Sequence, residues 1–326
     1  MKGSEDVCSG IGEKKMQQEK FRSMKRDVEN LDEFWEIAFW DDGAPSLAVW
    51  NGRSGLHLNS DGDDDGDDNI DATIVQGPKR YRFPNTDVDL LLAPLPAIDG
   101  IWSPVGADAW YSSALLSTLL ILQPSEDDVE IEFPTNKDAL VVLELGSGAV
   151  GLSGLACAVG LGQRYSKAKV VLTDNDSAVL DQLRINVDQN LRYLPSDVQL
   201  DVQFLDWNDY SEFFSSQSLS STSIDMVIGS ELVYTEETAT SCSNLLLYLL
   251  KQYPEIVILI VQVTDRFGWN EIVIPRLEAR RAKIQRLPLS AITHSLASSM
   301  IMQGGTLDAF AYGAFLIRNK KEVSAC

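Results

Sequence analysis

Apolar runs and helical patterns alternate along the chain from about residue 107 onward. Strands are predicted over 140–145, 169–173, 198–205, 224–229 and 255–263. Helices are predicted before and between them, over 107–122, 149–161, 177–190, 238–251 and 269–282. The remainder, 283–318, is expected to supply two more strands, the last near 309–318. This alternation indicates an α/β fold: a Rossmann-like, seven-stranded, mostly parallel sheet with helices on both faces.

The N-terminal part of the chain has a different composition. Residues 1–71 are expected to form an extension that ends in the acidic, low-complexity segment 61–71, and 72–326 to form the folded domain. The first six residues of the acidic segment resemble the start of a calcium loop, but its twelfth position would be Ala72, where a bidentate Glu is needed. We therefore interpret 61–71 as a solvated linker that self-repulsion keeps extended.

The net charge and the cysteine content limit the kinds of partner and metal site that this protein is expected to have. The chain has 27 Lys and Arg against 48 Asp and Glu, a formal net charge of −21, so no nucleic-acid partner is expected and basic partners are favoured. The four cysteines lie far apart in the sequence, with no CxxC pair and no local His partner, so we expect no disulfide framework, no structural zinc site and no other metal.

Hydropathy predicts no membrane association. Residues 1–20 lack the apolar core of a leader peptide, and the apolar run 114–122 is shorter than the about 20 residues of a bilayer span. We expect a monomer in the cytoplasm, or in the cytoplasm and the nucleus.

The strongest local signal is a glycine-rich turn that follows the strand at 140–145. Gly146, Gly148 and Gly151 have the GxGxxG spacing and precede a predicted helix. Glycines here allow a sharp turn and a close approach of a ligand to the main chain. A tight strand–helix turn without a ligand is the structural alternative.

Two acidic positions after the next strands favour a nucleoside ligand. Asp174 follows the strand at 169–173, near the roughly 20-residue spacing expected for an acid that binds ribose hydroxyls. Helix capping is the alternative, and we assign it to Asp176. Asp206 and Trp207 follow the third strand, where an indole can cover an adenine and a carboxylate can accept from its amine. A Trp that only packs under a loop is the alternative there.

These segments together resemble a known family. Glu144-Leu-Gly-Ser-Gly-Ala-Val-Gly-Leu, Leu172-Thr-Asp174, the Leu183–Asn190 helix, Leu205-Asp-Trp207 and the run from Ile224 to Tyr234 are similar to the class I, seven-β-strand S-adenosylmethionine-dependent methyltransferases of methyltransferase family 16. Gly106-Ala-Asp-Ala-Trp110 matches the family's Gly-x-x-x-Trp helix. The resemblance covers residues 100–265 and implies S-adenosylmethionine as the cofactor.

The resemblance also implies site residues. Gly146, Ser147 and Gly148 would hold the amino-acid part of the cofactor, with Glu144 ordering their loop. Asp174 would bind the ribose and Trp207 the adenine, and Trp110 and Ser230 would line the remaining wall. Together with Asp206, these are the expected cofactor-binding residues.

The family's Asp-x-x-Tyr after the fourth strand is Glu231-Leu-Val-Tyr234 here. The resemblance implies that Glu231 receives a lysine ammonium and that Tyr234 lines its slot, so the expected reaction is N-methylation of a lysine in a protein. Basic segments of translation factors, ribosomal proteins or chaperones are the expected substrates. Helix-start chemistry is the alternative reading of Glu231 and Tyr234.

Three other functions remain open at this point. A nicotinamide oxidoreductase shares the glycine spacing but explains neither Trp110 nor the Asp206-Trp207 pair. A small-molecule methyltransferase shares the expected fold. A non-catalytic adaptor would keep the fold and use the extension for docking.

Overall fold

The computed structural model describes residues 35–39, 45–51, 55–57, 73–75, 79–82, 89–93, 106, 109, 111–122, 139–162, 164–215, 223–287 and 312–320. Its strands are β1 (Trp35–Phe39), β2 (Pro45–Asn51), β3 (Gly55–His57), β4 (Thr73–Val75), β5 (Lys79–Arg82), β6 (Asp89–Leu92), β7 (Ala139–Leu145), β8 (Lys167–Asp174), β9 (Val198–Phe204), β10 (Met226–Ser230), β11 (Val257–Val263), β12 (Ala282–Leu287) and β13 (Tyr312–Asn319). Its α-helices are α1 (Tyr111–Leu122), α2 (Leu152–Gly162), α3 (Ser177–Asn190), α4 (Ser211–Ser215), α5 (Glu236–Gln252) and α6 (Ile274–Ala279). A 3₁₀ turn spans Leu191–Tyr193 and a π-helical turn spans Trp269–Val273.

A seven-stranded sheet, in the order β12-β13-β11-β10-β7-β8-β9, is the centre of the molecule. Neighbouring strands from β11 to β9 are parallel, whereas β13 is antiparallel to both β11 and β12. The predicted seven-stranded, mostly parallel sheet is therefore confirmed.

The strand order reverses at β7. The chain continues from β7 outward to β8 and β9, then returns to place β10 and β11 on the other side of β7. Connections that leave in opposite directions open a crevice at the carboxyl ends of β7 and β10, where open α/β sheets bind their ligands.

Helices cover both faces of the sheet, which is why its central strands β7, β10 and β11 are mostly apolar. Alternate strand residues such as Val142 and Ile228 pack with α1 and α2, and their neighbours Leu143 and Val227 pack with α5 and α6. All seven residues of β11 are buried. Burial on both faces is the expected environment of parallel strands.

A smaller antiparallel sheet, β1-β2-β5-β6, precedes the central sheet in the chain. Buried Tyr81, Leu90 and Leu92 from β5 and β6 pack with α1, α2 and α3. The pairing of β2 with β5 joins residues on both sides of residue 71, where we predict a domain boundary; that boundary stays a prediction. The predicted acidic linker, 61–71, lies outside the described residues.

The backbone conformation explains why two of the predicted helices have different ends in the structure. The helix predicted from 149 begins at Leu152, because Gly151 has a positive φ of 62° and belongs to the turn. The helix predicted over 269–282 is a π-helical turn followed by α6, which ends at Ala279, and Arg281 has a φ of 63°. Left-handed backbone ends a helix and reverses the chain, so β12 begins at Ala282.

In the part of the chain that the structure describes, no helix has the length and apolar character needed to cross a membrane. The same residues contain no cluster of three or more His, Cys, Asp or Glu side chains placed to hold a metal ion.

Candidate functional site

The glycine turn after β7 is held from two sides. Ser147 donates its amide to the carbonyl of Thr173 at 2.8 Å, and Ala149 donates its amide to the carbonyl of Gly106 at 2.7 Å. Gly146 and Gly148 have φ values of 61° and 64°, and a Cβ on Gly148 would lie 2.9 Å from the oxygen of Gly106. The turn therefore requires glycine for both its conformation and its close packing.

Glu144 lies beneath this turn and is only 2% exposed. Burial raises the pKa of its carboxyl from 4.5 to about 7, although the Ser147 hydroxyl and the Gly154 amide favour the charged form. Its Oε2 has no hydrogen-bond partner among the described residues. The position of Glu144 suits the predicted role in ordering the loop, and that role stays a prediction.

Asp174 at the end of β8 reaches back to the turn. Its Oδ2 accepts the Gly148 amide at 3.1 Å, and its Oδ1 accepts the amides of Asn175 at 2.8 Å and Asp176 at 3.3 Å. Burial raises the pKa of this carboxyl, and these amides lower it. Asp176, as predicted, caps α3 by accepting the amides of Ala178 and Val179. Asp174 does not cap the helix and lines the cavity instead, where we predict that it binds the ribose.

Trp207 lies beside the glycine turn. Its Cζ2 is 3.5 Å from the point where a Cβ on Gly146 would stand, and its ring also packs against the apolar cluster under α5. The indole therefore both packs and lines the cavity, so the two interpretations of this residue are compatible. Asp206 accepts the Asn208 amide at 2.8 Å through Oδ1.

These residues line one cavity of about 380 Å³ at the carboxyl ends of β7 and β10, within the range of small-molecule and cofactor sites. The predicted site residues in its wall are Gly146, Ser147, Gly148, Asp174, Asp206, Trp207, Ser230, Glu231 and Tyr234. Trp110 lies outside the described residues. Exposed main chain at the glycines, a carboxylate and an indole fit the amino-acid, ribose and adenine parts of S-adenosylmethionine, respectively.

Glu231 begins the loop after β10 and is already paired. Its Oε1 accepts the Val263 amide at 2.8 Å, and its Oε2 accepts a hydrogen bond from Arg266 at 2.8 Å. Burial raises the pKa of this carboxyl, while Arg266 and the Val263 amide lower it. The carboxylate predicted to receive a substrate ammonium is therefore held by a cation of the protein itself.

Tyr234 stands at the mouth of the cavity with 42% of its surface exposed. Partial burial and the negative charges of Asp174 and Glu237 raise the pKa of its hydroxyl, which keeps Tyr234 protonated at neutral pH. Thr235 and Thr238 form the capping box of α5. These two threonines therefore cap the N-terminus of α5, and the Tyr234 amide also donates to the Thr238 hydroxyl.

Two residues of this site were not predicted from the sequence. Arg266 pairs with Glu231, and the buried side chain of Gln262 binds both the amide and the carbonyl of Val233, at 3.1 and 2.9 Å. Gln262 thereby holds the loop between Glu231 and Tyr234. Both belong to β11 or the loop after it, and only the pairing of β10 with β11 reveals their proximity.

Residues 98–267 match the sequence model of a family described as "Lysine methyltransferase". A Protein N-lysine methyltransferase METTL21A from Xenopus tropicalis is 34% identical over 119 residues, which are 36% of this chain and 47% of that protein. The chain thus spans about half the length of this curated relative.

The solved structures to which this chain is similar include the delta-N METTL16 MTase domain, with a TM-score of 0.40, 10% identity and coverage of 68% of this chain and 88% of that chain. Another is TYW2 of P. horikoshii in complex with MeSAdo, with a TM-score of 0.39, 13% identity and coverage of 74% and 70%.

Proposed function

The chain belongs to the lysine methyltransferase family, whose cofactor is S-adenosylmethionine, and from this premise we propose that it methylates a lysine side chain in a protein substrate. The observation that carries the proposal is the position of Glu231 and Tyr234. Both line the same cavity as the glycine turn and Asp174, and Tyr234 is 42% exposed. A substrate nitrogen that reaches this part of the cavity would meet a carboxylate and a phenol next to the expected cofactor.

The geometry suits methyl transfer because little acid–base chemistry is required. When bound, the cofactor supplies a methyl group on a sulfonium, so a neutral amine gains a C–N bond as the C–S bond breaks. The residues must therefore position the amine and assist its deprotonation, since a free lysine has a pKa of about 10.4. In this proposal Glu231 binds the arriving ammonium, Tyr234 orients it, and the displaced proton passes to Glu231 or to water.

Charge around the cavity supports a basic protein segment as the substrate. In the described loops and first helical turns that follow β7 to β11, every charged side chain except Arg266 is acidic. These acidic residues are Asp174, Asp176, Asp206, Asp209, Glu212, Glu231, Glu236, Glu237, Asp265 and Glu271. The opposite edge of the sheet carries six exposed basic residues, Arg164, Lys167, Arg192, Lys251, Arg280 and Arg281, beside three exposed acidic ones, Asp197, Glu255 and Glu278. The net charge is thus unevenly distributed. The loops and first helical turns after β7 to β11 form an acidic edge, which would attract a basic segment to the cavity.

Methyl transfer from labelled S-adenosylmethionine into a cell lysate tests the proposal, with mass spectrometry of the labelled residue. We expect label on a lysine that lies near other basic residues. Glu231→Gln should reduce transfer at least tenfold while S-adenosylhomocysteine still binds, because the amide keeps an acceptor for the Val263 amide but loses the charge. Glu236→Gln, an exposed change in the first turn of α5, should retain activity.

The results of the labelling experiment distinguish this proposal from the other candidate functions. Label only in small molecules would indicate a small-molecule methyltransferase, and cofactor binding without any transfer would indicate an adaptor. Full turnover by Glu231→Gln would refute the assigned role of Glu231. A basic peptide substrate should also show a KM that rises with salt, because screening weakens its attraction to the acidic edge.

A further inference from the structure

The Glu231 side chain continues the hydrogen bonding of the sheet beyond the end of β10. The last paired residues of β10 and β11 are Ser230 and Val261, and the Glu231 amide still donates to the carbonyl of Val261 at 3.0 Å. In a regular parallel ladder the next bond would run from the Val263 amide to the Glu231 carbonyl. Glu231 instead has a φ of 52°, and its side-chain Oε1 accepts that amide.

The second carboxylate oxygen faces Arg266. The Glu231 side chain is only 6% exposed, whereas the Arg266 side chain, in the loop directly after β11, is 29% exposed. A carboxylate buried to this degree is strongly disfavoured unless a cation or several donors compensate it. Arg266 is also the basic exception on the acidic edge, so no other described loop after β7 to β11 supplies a cation there.

We propose that Arg266 is a positioning residue of the methyl-transfer site, which fixes the Glu231 carboxylate against the end of β11 and keeps it charged for the substrate ammonium. This inference rests on the proposed function. A carboxylate has about four acceptor positions, so the two bonds to Val263 and Arg266 leave room for a substrate ammonium. Arg266 thus acts through Glu231 without contacting the methyl donor or the acceptor nitrogen.

The charges around Glu231 determine what the loss of Arg266 would do. Asp265, in the same loop, raises the pKa of Glu231, and Arg266 lowers it. From β13, Tyr312 also faces the pair; burial and the negative charge of Glu231 raise the pKa of its hydroxyl to about 12, so Tyr312 stays neutral. Without Arg266, burial and Asp265 act unopposed by any cation, and Glu231 takes up its proton at a higher pH.

The test compares Arg266→Ala, Arg266→Lys and Arg276→Ala in the full chain. Arg276 is a matched control: it lies on α6 and binds the Thr240 carbonyl and Asn244. We expect Arg266→Ala to lower kcat at least tenfold and to move the acid limb of kcat/KM to higher pH, with S-adenosylhomocysteine affinity within twofold of the wild type. Arg266→Lys should restore most of the pH profile, and Arg276→Ala should match the wild type.

A double-mutant cycle in urea keeps this inference separate from the proposed function. Arg266→Ala and Glu231→Gln should be non-additive at pH 8, and the coupling should shrink as the pH falls and Glu231 takes up a proton. The cycle measures the coupling between Arg266 and Glu231 even if no methyl transfer is found. An absence of coupling would refute the pairing of these two residues without bearing on the proposed function. An unchanged pH profile in Arg266→Ala, or additive effects in the cycle, would overturn the positioning role.

Discussion

The carboxylate of Asp174 accepts a hydrogen bond from the Gly148 amide, 3.1 Å away, and so connects the end of β8 to the glycine turn after β7. The same carboxylate lines the cavity. One residue thus orders the main chain of the cofactor turn and presents an acceptor beside it. The shape of the turn and its affinity for a nucleoside are expected to depend on each other.

Asp174→Ala should therefore lower the affinity for S-adenosylhomocysteine by roughly 10- to 100-fold, the range expected for loss of a charge-assisted hydrogen bond. Isothermal titration calorimetry measures this directly. The control is Asp176→Ala, which removes the cap of α3 and should cost about 1 kcal/mol of unfolding free energy with little change in affinity. Equal losses of affinity in the two variants would contradict the division of roles between these aspartates.

Gly148→Ala tests the conformational requirement of the turn. A φ of 64° disfavours alanine by roughly 1–2 kcal/mol, and the added methyl group would lie 2.9 Å from the Gly106 oxygen. We expect the turn to shift, with loss of most cofactor affinity in the same calorimetric experiment.

Gly160→Ala is the matched control for Gly148→Ala. Its Cβ would also approach a main-chain oxygen, that of Leu120 at 3.0 Å, but α2 places it away from the cavity wall. This variant should bind cofactor as the wild type does, whatever its stability. Normal binding by Gly148→Ala would show that the turn tolerates a side chain.

The contribution of Glu144 to the unfolding free energy should fall as the pH rises. Its folded pKa of about 7 lies above the ordinary 4.5, so the folded state holds a proton that the unfolded state has released. The stabilisation is complete below pH 4.5 and is lost between pH 4.5 and 7, on the order of 3 kcal/mol in total.

Glu144→Gln should remove this dependence, because the amide does not titrate. Urea titrations at several pH values, without cofactor, give the unfolding free energies of the variant and the wild type. From pH 4.5 to 7, the unfolding free energy of the variant should rise relative to that of the wild type. Glu231 titrates in both proteins, so its contribution cancels in the difference, whereas the charge of Asp174 is itself one of the causes of the raised Glu144 pKa. Exposed Glu237→Gln is the control, and a flat difference for Glu144→Gln would contradict the raised pKa of Glu144.

Much of the fold follows from local pattern. The helix over Ser177–Asn190 has the predicted bounds, and the predicted strands of the sheet are all present within a few residues. Burial on both faces makes the central strands β7, β10 and β11 mostly apolar, and such runs are easily recognised. The π-helical turn before α6 was not predicted, since an apolar pattern does not distinguish hydrogen bonds to the fifth preceding residue from those to the fourth.

The site was predicted only where its residues lie next to a strand end. Gly146, Asp174 and Trp207 follow three successive strands, so the topology of a parallel sheet brings them together. The Glu231–Arg266 pair joins loops separated by α5 and β11, and neither spacing nor composition indicates it. The positive φ of Glu231, which turns its side chain towards β11, is a property of the folded backbone alone.

Asn186 on α3 connects the smaller sheet to the cofactor turn. Its amide group accepts from the Ala93 amide and donates to the Ala93 carbonyl, both at 2.8 Å, and it also donates to the Ala149 carbonyl at 2.7 Å. Asn190, one helical turn later, accepts from the Leu91 amide and donates to the Leu91 carbonyl in β6, and it also donates to the Asn186 carbonyl. The two asparagines thus bind the same segment of main chain, and only one of them is linked to the site.

Alanine at either asparagine should lower the unfolding free energy by on the order of 3 kcal/mol, because each change leaves main-chain groups of the smaller sheet without partners. Asn186→Ala should in addition weaken S-adenosylhomocysteine binding severalfold, since the Ala149 carbonyl loses its buried donor, whereas Asn190→Ala should leave the affinity close to that of the wild type. Urea unfolding and calorimetry on the two variants measure both quantities. Equal affinities would mean that the turn is ordered without help from α3, by the carbonyls of Gly106 and Thr173 and the carboxylate of Asp174, which accept its main-chain amides.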